Sequence, residues 1–517
     1  MSSGRRTFLR TALGAALVPL TACKSEVTPG LDVDSLVIGS GFGGAVAALR
    51  LTQAGVRTLL LERGRRWPIQ ADGNTFSKFE DPDERCAWLT QNTNFPGAPY
   101  KRFPRQYVGV LDRIFGNGTS VVVGAGYGGG SLVYGATLAE PPKELFQKVF
   151  PAGIDWDEMH GKYFPRARQT IGASPIPDDV LAAPTYASAR RFFDDCAKAG
   201  VDVRKNDVGV DWDRVRAEIA GQAAPSASVG SIVYGTNSGA KNSVDKSYLA
   251  QAEKTGLLEV RTQHVVRELG RDSIGFVVVS DRIDEEGNVV ETVTLRAKRV
   301  FLAAGSMGTS KLLVRAKAKG TLPNLNEHVG KYWGNNGDYI LARNIGIDTL
   351  GIQGGPPCGM VFDHQNPAGP ITLDHGSAST GLECQCQPIL VMGIAEPTGS
   401  FAWDEALSDV KLTWDPKSLG TLPDVAKASL GVITAAGGGT VMDVVQLLGT
   451  YTYHPLGGAV LGKACDLAGR VQGYPGLYVV DGALCPGAVG CVNPALTITA
   501  LAERCMDRII TEDLPSR

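Results

Sequence analysis

At 517 residues the chain is too long for one small core, and two or three domains of about 100–200 residues are expected. A formal net charge of −2 provides neither a basic surface for nucleic acid nor an acidic tail, and the hydrophobic content is that of an ordinary globular protein. The 64 glycines exceed the usual ~7% share and cluster without a repeat, which suits close backbone approach to a ligand and excludes collagen, solenoids and low-complexity linkers.

The N-terminus reads as an address. Arg5-Arg6-Thr7-Phe8-Leu9 is a twin-arginine pattern, followed by an apolar stretch from Ala12 to Leu20 that is too short to span a bilayer. Leu20-Thr21-Ala22-Cys23 resembles a bacterial lipoprotein cleavage box. Two outcomes stay open: Cys23 carries a lipid and anchors the mature protein at the cell surface or periplasm, or cleavage nearby frees a secreted protein. Residues 1–32 are assigned to this signal and its linker. The ten cysteines are scattered, and the one tight pair, Cys384-x-Cys386, lacks the CxxC spacing of a zinc or redox site. Buried free thiols are therefore expected, since a chain of this size does not need disulfides.

Ser35 to Ile38 is a short apolar strand, followed by Gly39-Ser-Gly41-Phe42-Gly43-Gly44 and an amphipathic helix to about Ala54. A second strand, Thr58 to Leu61, ends at Glu62. This is a complete dinucleotide fingerprint. Gly39 makes the tight turn, Gly41 admits the pyrophosphate, and Gly44 allows close helix–strand packing. Glu62, about 20 residues on, accepts hydrogen bonds from ribose hydroxyls and argues against NADP. The motif alone does not separate FAD from NAD.

A second glycine cluster, Gly124-Ala-Gly-Tyr-Gly128-Gly129-Gly130-Ser131, leads into Tyr134-Gly135. Consecutive glycines bring backbone N–H groups against a planar or anionic ligand, and a cofactor lying extended across the protein needs such a second contact near its reactive ring. The stretch 258–303 is rich in strand patterns, with alternation in Gly275-Phe-Val-Val-Val-Ser. The apolar run from Val300 then enters Gly305-Ser306 and returns the chain to the sheet beside the dinucleotide. Near the C-terminus a strand from Tyr478 ends in Asp481-Gly482, which places a carboxylate and a backbone N–H near a phosphate or ribityl chain. Asn493-Pro494 precedes a helix, Leu496 to Ile509, whose positive end can face a flavin.

Tyr453-His454-Pro455-Leu456-Gly457-Gly458 and Asn493-Pro494 resemble the histidine and asparagine that close the active site of the glucose–methanol–choline oxidoreductase family. Longer stretches, at 109–133, 241–250, 312–330 and 453–464, resemble the bacterial cholesterol oxidases within it, and similarity runs from about Asp34 to about Ile510. The resemblance implies an α/β protein, α+β overall. A Rossmann-like FAD-binding domain would span 33–75, 225–330 and 460–517. A discontinuous substrate-binding domain, a mixed or antiparallel sheet covered by helices, would span 76–224 and 331–459. It implies noncovalent FAD, with Val266 among the cofactor contacts, while no HExxH or clustered Cys/His pattern argues for a metal. It also implies oxidation of a sterol or another bulky apolar alcohol with O2 as acceptor, and 5-ene to 4-ene isomerisation as a second activity. Lys78 to Tyr100 becomes a lid candidate, transient contact with a membrane surface follows from the substrate, and a monomer is expected.

By this resemblance His454 acts on the substrate hydroxyl, a task that suits a side chain whose unperturbed pKa is near neutrality. Asn493 hydrogen-bonds the hydroxyl or supports the reduced flavin. The isomerisation base departs from the family's glutamate: one alignment makes it Asp374 and a shifted one makes it Glu383. A shorter carboxylate misplaced by ~1 Å can cost roughly 100-fold. Tyr134 stands where an asparagine is expected beside the flavin. His375 adjoins Asp374, while His160, His264, His328 and His364 read as structural or solvated. Residues 331–450 shape the pocket and decide between a sterol and another bulky alcohol, and between oxidase and dehydrogenase. A noncatalytic flavin-binding surface protein is the alternative of another class, opposed by the intact His454 and Asn493. A cytosolic NAD dehydrogenase is opposed by the export signal and the second glycine cluster.

Overall fold

The central sheet grows outward from the Val33–Ile38 strand, whose last four residues are fully buried. The protein is described here by a computed structural model covering residues 30–349, 351–377, 383 and 385–514, so the twin-arginine segment, Cys23 and Cys384 lie outside the described residues. Val33–Ile38 pairs in parallel with Thr58–Leu61 on one side and with the end of Val289–Leu302 on the other. Leu258–Arg261 and Leu477–Val479 add further parallel neighbours. Four stretches far apart in sequence thus build one parallel core, covered by helices as such sheets require.

The 14-residue Val289–Leu302 strand changes character along its length. Its exposed first half pairs antiparallel with Phe276–Ile283, which pairs in turn with His264–Arg271. Its last three residues, Val300-Phe301-Leu302, are buried and run parallel inside the core. The alternating burial expected of the 275–280 stretch is present in Phe276–Ile283. Helix Phe42–Gln53 packs against the long helix Ala495–Asp513, and Arg50 ion-pairs at 2.6 Å with the fully buried Glu503. The Tyr248 hydroxyl also donates to Glu503 at 2.8 Å, so that carboxylate is not left unpaired in the core.

A second, six-stranded sheet is antiparallel throughout, in the order Thr440–Asp443, Tyr339–Asn344, Cys386–Met392, Ile371–His375, Gly359–Asp363, Val203–Lys205. Helices Ala187–Lys198 and Leu422–Ala436 pack against it. The molecule is a mixed α/β protein, as expected. Two local readings change. The C-terminal strand is Leu477–Val479, because Asp481 leaves the ladder to cap the turn Gly482–Leu484 by accepting the Ala483 N–H. Cys386 is disulfide-bonded, against the expectation of free thiols. It is half-buried at a strand end, whereas Cys86, Cys196, Cys358, Cys465, Cys485, Cys491 and Cys505 are free and buried.

Candidate active site

A cavity of about 600 Å³ opens where the parallel strands end, between them and the six-stranded sheet. This is where open α/β sheets bind ligands. Every cofactor position read from the sequence lines it except Gly44, Gly128 and Ser131. Those three shape the loops. A Cβ on Gly44 would overlap the Gly39 carbonyl oxygen. Gly128 turns through φ +118° and gives its N–H to Ser40 Oγ at 3.0 Å. Ser131 Oγ donates to the Gly128 carbonyl at 2.7 Å and accepts the Val244 N–H at 2.9 Å.

The trench floor is main chain. Gly39 has φ +99°, a conformation other residues rarely adopt, and a side chain there would meet the Ala303 carbonyl. Gly43 rests against the Val480 carbonyl with no room for a Cβ, which seats the N-terminus of helix Phe42–Gln53 on the sheet. A Cβ on Gly41 or Gly130 would meet no protein atom within 4 Å, so both backbones face open cavity. The two glycine loops touch: a Cβ on Gly129 would lie 2.6 Å from Gly41 Cα. Ser40 joins them, donating its hydroxyl to Glu62 Oε2 at 2.5 Å while accepting from Gly128. The sequence reading passed over Ser40, although its place between Gly39 and Gly41 was the available signal. Glu62 also accepts from the backbone of Ser40 and Gly64 and still lines the cavity. Asp481 accepts from Thr309 Oγ1 at 2.5 Å, and burial pushes its carboxyl up to about 6 against that bond. The helix that follows Pro494 opens its N-terminus on the cavity through Ala495 and Ile498.

The opposite wall carries the reactive side chains. His454, Asn493 and Asp374 all line the cavity. His454 Nδ1 lies 2.9 Å from Asp338 Oδ1, and Asp338 is buried. Asn493 Nδ2 donates to Asp374 Oδ2 at 3.2 Å, and Asn206 Nδ2 donates to Asp374 Oδ1 at 3.3 Å. Burial pushes the Asp374 carboxyl up to about 7, against the pull of Asn493, Asn206 and the nearby His454. Asn493 Oδ1 is buried and has no hydrogen-bond partner among the described residues. Around these groups Ile340, Ile389 and Leu390 present apolar surface. Tyr134 lines the cavity with its ring edge-on to Phe42 at 5.3 Å and its hydroxyl donating to the Asn242 carbonyl at 3.2 Å.

Glu383, the alternative to Asp374, is not brought to this wall. It lies in an exposed loop, where its carboxylate accepts backbone N–H groups of Thr349, Gly351 and Gln385. His375 follows Asp374 in the strand and so points the other way, buried beside Phe192 and held down to about 3 by burial and by Arg343. Within the lid candidate only Phe95 reaches the cavity lining. Asp338 and Asn206 were not read from the sequence, and neither carries a motif.

The whole fits an extended flavin dinucleotide: open-faced glycines for a pyrophosphate, a carboxylate at the end of the second strand, and the Asn493 amide and His454 lining the cavity beyond them. Family profiles described as GMC oxidoreductase match residues 33–331 and 403–502. The chain is 26% identical to a cholesterol oxidase of Acinetobacter baumannii over 92% of this chain and 94% of that one. It is 27% identical to a cholesterol oxidase of Mycobacterium tuberculosis over 92% of this chain and 90% of that one. The solved structure of pyridoxine 4-oxidase from Mesorbium loti shares the fold, with a TM-score of 0.64 at 15% identity, covering 94% of this chain and 100% of that one.

Proposed function

This chain belongs to the GMC oxidoreductase family, whose members bind FAD and oxidise alcohols, and from that premise we propose that it oxidises a 3β-hydroxysterol or a comparably bulky apolar alcohol. In this reading FAD is bound without a covalent link and O2 is the final acceptor, leaving as H2O2. The observation that carries it is the meeting of His454, Asn493 and Asp374 on one wall of the glycine-floored cavity, among apolar side chains.

When bound, FAD supplies the acceptor for the hydride of the carbinol carbon. The rest falls to the protein. His454 takes the hydroxyl proton at Nε2. Asn493 uses one amide hydrogen on Asp374 and keeps a second for the substrate oxygen as its charge grows. Asp374, held near neutrality by burial, is suited to take a proton from one sterol carbon and return it to another, which is the isomerisation. Export by the twin-arginine route, with release or with anchoring through Cys23, belongs to the same reading and is supported by Arg5-Arg6 and the box ending at Cys23. So does transient contact with the membrane that holds a sterol.

Cholesterol added without oxygen should bleach the visible flavin absorption of the purified holoprotein. Admitting air should restore the colour, release peroxide and leave a 4-ene-3-ketone. A yellow protein that keeps its colour with cholesterol but bleaches with another bulky alcohol would remove the sterol and keep the chemistry.

A further inference from the structure

Asp338 lies in the stretch between residues 331 and 403 that neither family profile covers. We propose that Asp338 is the positioning residue of His454, fixing the imidazole as its Nδ1–H tautomer so that Nε2 offers its lone pair to the substrate hydroxyl. The proposal rests on the alcohol-oxidising reading of the same site.

The Asp338 carboxylate is only 1% exposed, and both oxygens are engaged. Oδ1 faces His454 Nδ1 at 2.9 Å, and Oδ2 accepts the Thr452 hydroxyl at 2.6 Å. Thr452 Oγ1 in turn accepts the His454 backbone N–H at 2.9 Å, so the three residues close a ring that holds both the imidazole and its main chain. A carboxylate has no hydrogen to give. The proton of the neutral imidazole therefore sits on Nδ1, and Nε2 is the acceptor left for the substrate in the cavity that His454 lines. When the substrate O–H bond breaks, its proton forms an N–H bond at Nε2. The electron pair left on oxygen becomes the second carbonyl bond as the carbinol carbon gives up its hydride. The imidazolium so formed lies against the negative charge of Asp338.

The turn that presents Asp338 is itself fixed. Asn336 and Gly337 have φ +64° and +66°. Asn335 closes the turn, its Nδ2 donating to the Asp338 carbonyl at 2.9 Å and its Oδ1 accepting the Gly337 N–H at 3.1 Å. Asn336 reaches out of it, donating to the Val492 carbonyl at 2.9 Å and accepting the Val489 N–H at 3.2 Å. Val492 immediately precedes Asn493. One turn therefore sets the partner of His454 and the loop that carries Asn493.

An asparagine at 338 keeps the shape and changes the hydrogen count. With its amide N–H toward Nδ1, it forces the imidazole proton onto Nε2, where the substrate needs a lone pair. With its oxygen toward Nδ1, it keeps the Nδ1–H tautomer, its NH2 donates to Thr452 Oγ1, and the Thr452 hydroxyl turns to the Asn335 carbonyl, 3.4 Å away. Because asparagine can present either atom, it no longer restricts the imidazole to one tautomer.

The test is the tautomer itself, read by 15N chemical shifts of histidine-labelled holoprotein at about pH 9, where imidazole is neutral. His454→Gln assigns the signal among the six histidines, and no substrate is present. The expected result is Nδ1–H in the wild type and a shift toward Nε2–H in Asp338→Asn. Flavin content should be unchanged, while turnover falls roughly 100-fold or more. Wild-type His454 carrying its proton on Nε2 would overturn the proposal whether or not Asp338→Asn folds. So would an Asp338→Asn protein that keeps Nδ1–H and full turnover. A wild type with the expected tautomer that reduces its flavin with no alcohol would instead overturn the functional reading alone.

Discussion

The nucleotide trench is built mostly of main chain, and the facing wall is built of side chains held by other side chains. Gly39, Gly41, Gly43 and Gly129 matter in the trench for what they lack, because each brings two backbones, or a backbone and a ligand, together. His454 and Asp374 matter for what they carry, and each is aimed by a buried neighbour from a distant segment, Asp338 and Asn206. Damage to the trench should therefore cost cofactor or fold, and damage to the wall should cost chemistry while leaving the protein yellow.

The sharpest way to break that contrast is Gly41→Leu. Its Cβ would enter open cavity from an unstrained backbone, φ −67°, so the fold should survive and the flavin should be lost entirely. Visible absorption and circular dichroism read the two outcomes, and a yellow, active variant would refute the trench. Gly43→Ala should act on the fold instead, because its Cβ overlaps the Val480 carbonyl and backbone must shift. A loss of about 1–3 kcal/mol in denaturant unfolding is expected.

On the wall, Asp374→Asn should leave alcohol oxidation measurable and abolish the 5-ene to 4-ene shift. It also has a stability signature. Asp374 titrates at about 7 in the folded protein, above the 3.8 of the free acid, so the native state holds a proton that the unfolded chain releases. Its contribution is present below pH ~4 and is lost as pH rises through ~7, a loss on the order of 2–4 kcal/mol for the apoprotein. Asp374→Asn should flatten that fall. A pH–stability curve identical to wild type would place the carboxyl outside the buried wall. The smallest effect belongs to Asn206→Ala, which removes one of two amide donors to Asp374. It should slow isomerisation a few-fold, about 1 kcal/mol, and move the Asp374 limb of the pH profile upward.

The same contrast explains what could be read beforehand. Each constraint in the trench is local: a positive φ at Gly39, a contact across one turn at Gly44, a carboxylate at the end of the next strand. A pattern of residue types at fixed spacing can carry all of it. His454 and Asn493 were legible only through resemblance to a family. Asp338 lies 116 residues from His454, and Asn206 lies 168 from Asp374, so no spacing along the chain joins them. The choice between Asp374 and Glu383 turned on topology. Asp374 sits in a central strand and is the residue of that strand that lines the cavity, whereas Glu383 falls in the loop beyond, where backbone N–H groups occupy its oxygens. Cys386 was misread because composition speaks of compartment and size, not of where one sulfur meets another.

The most direct test sets His454→Ala beside the wild type under anaerobic conditions, with flavin content and the rate of bleaching by the alcohol measured on the same samples. Equal flavin content with bleaching slowed roughly 100- to 10,000-fold is the predicted result, since the histidine handles the proton and the trench holds the cofactor without it. A colourless variant would show that the wall and the trench are not separable. Bleaching at the wild-type rate would take His454 out of the reaction.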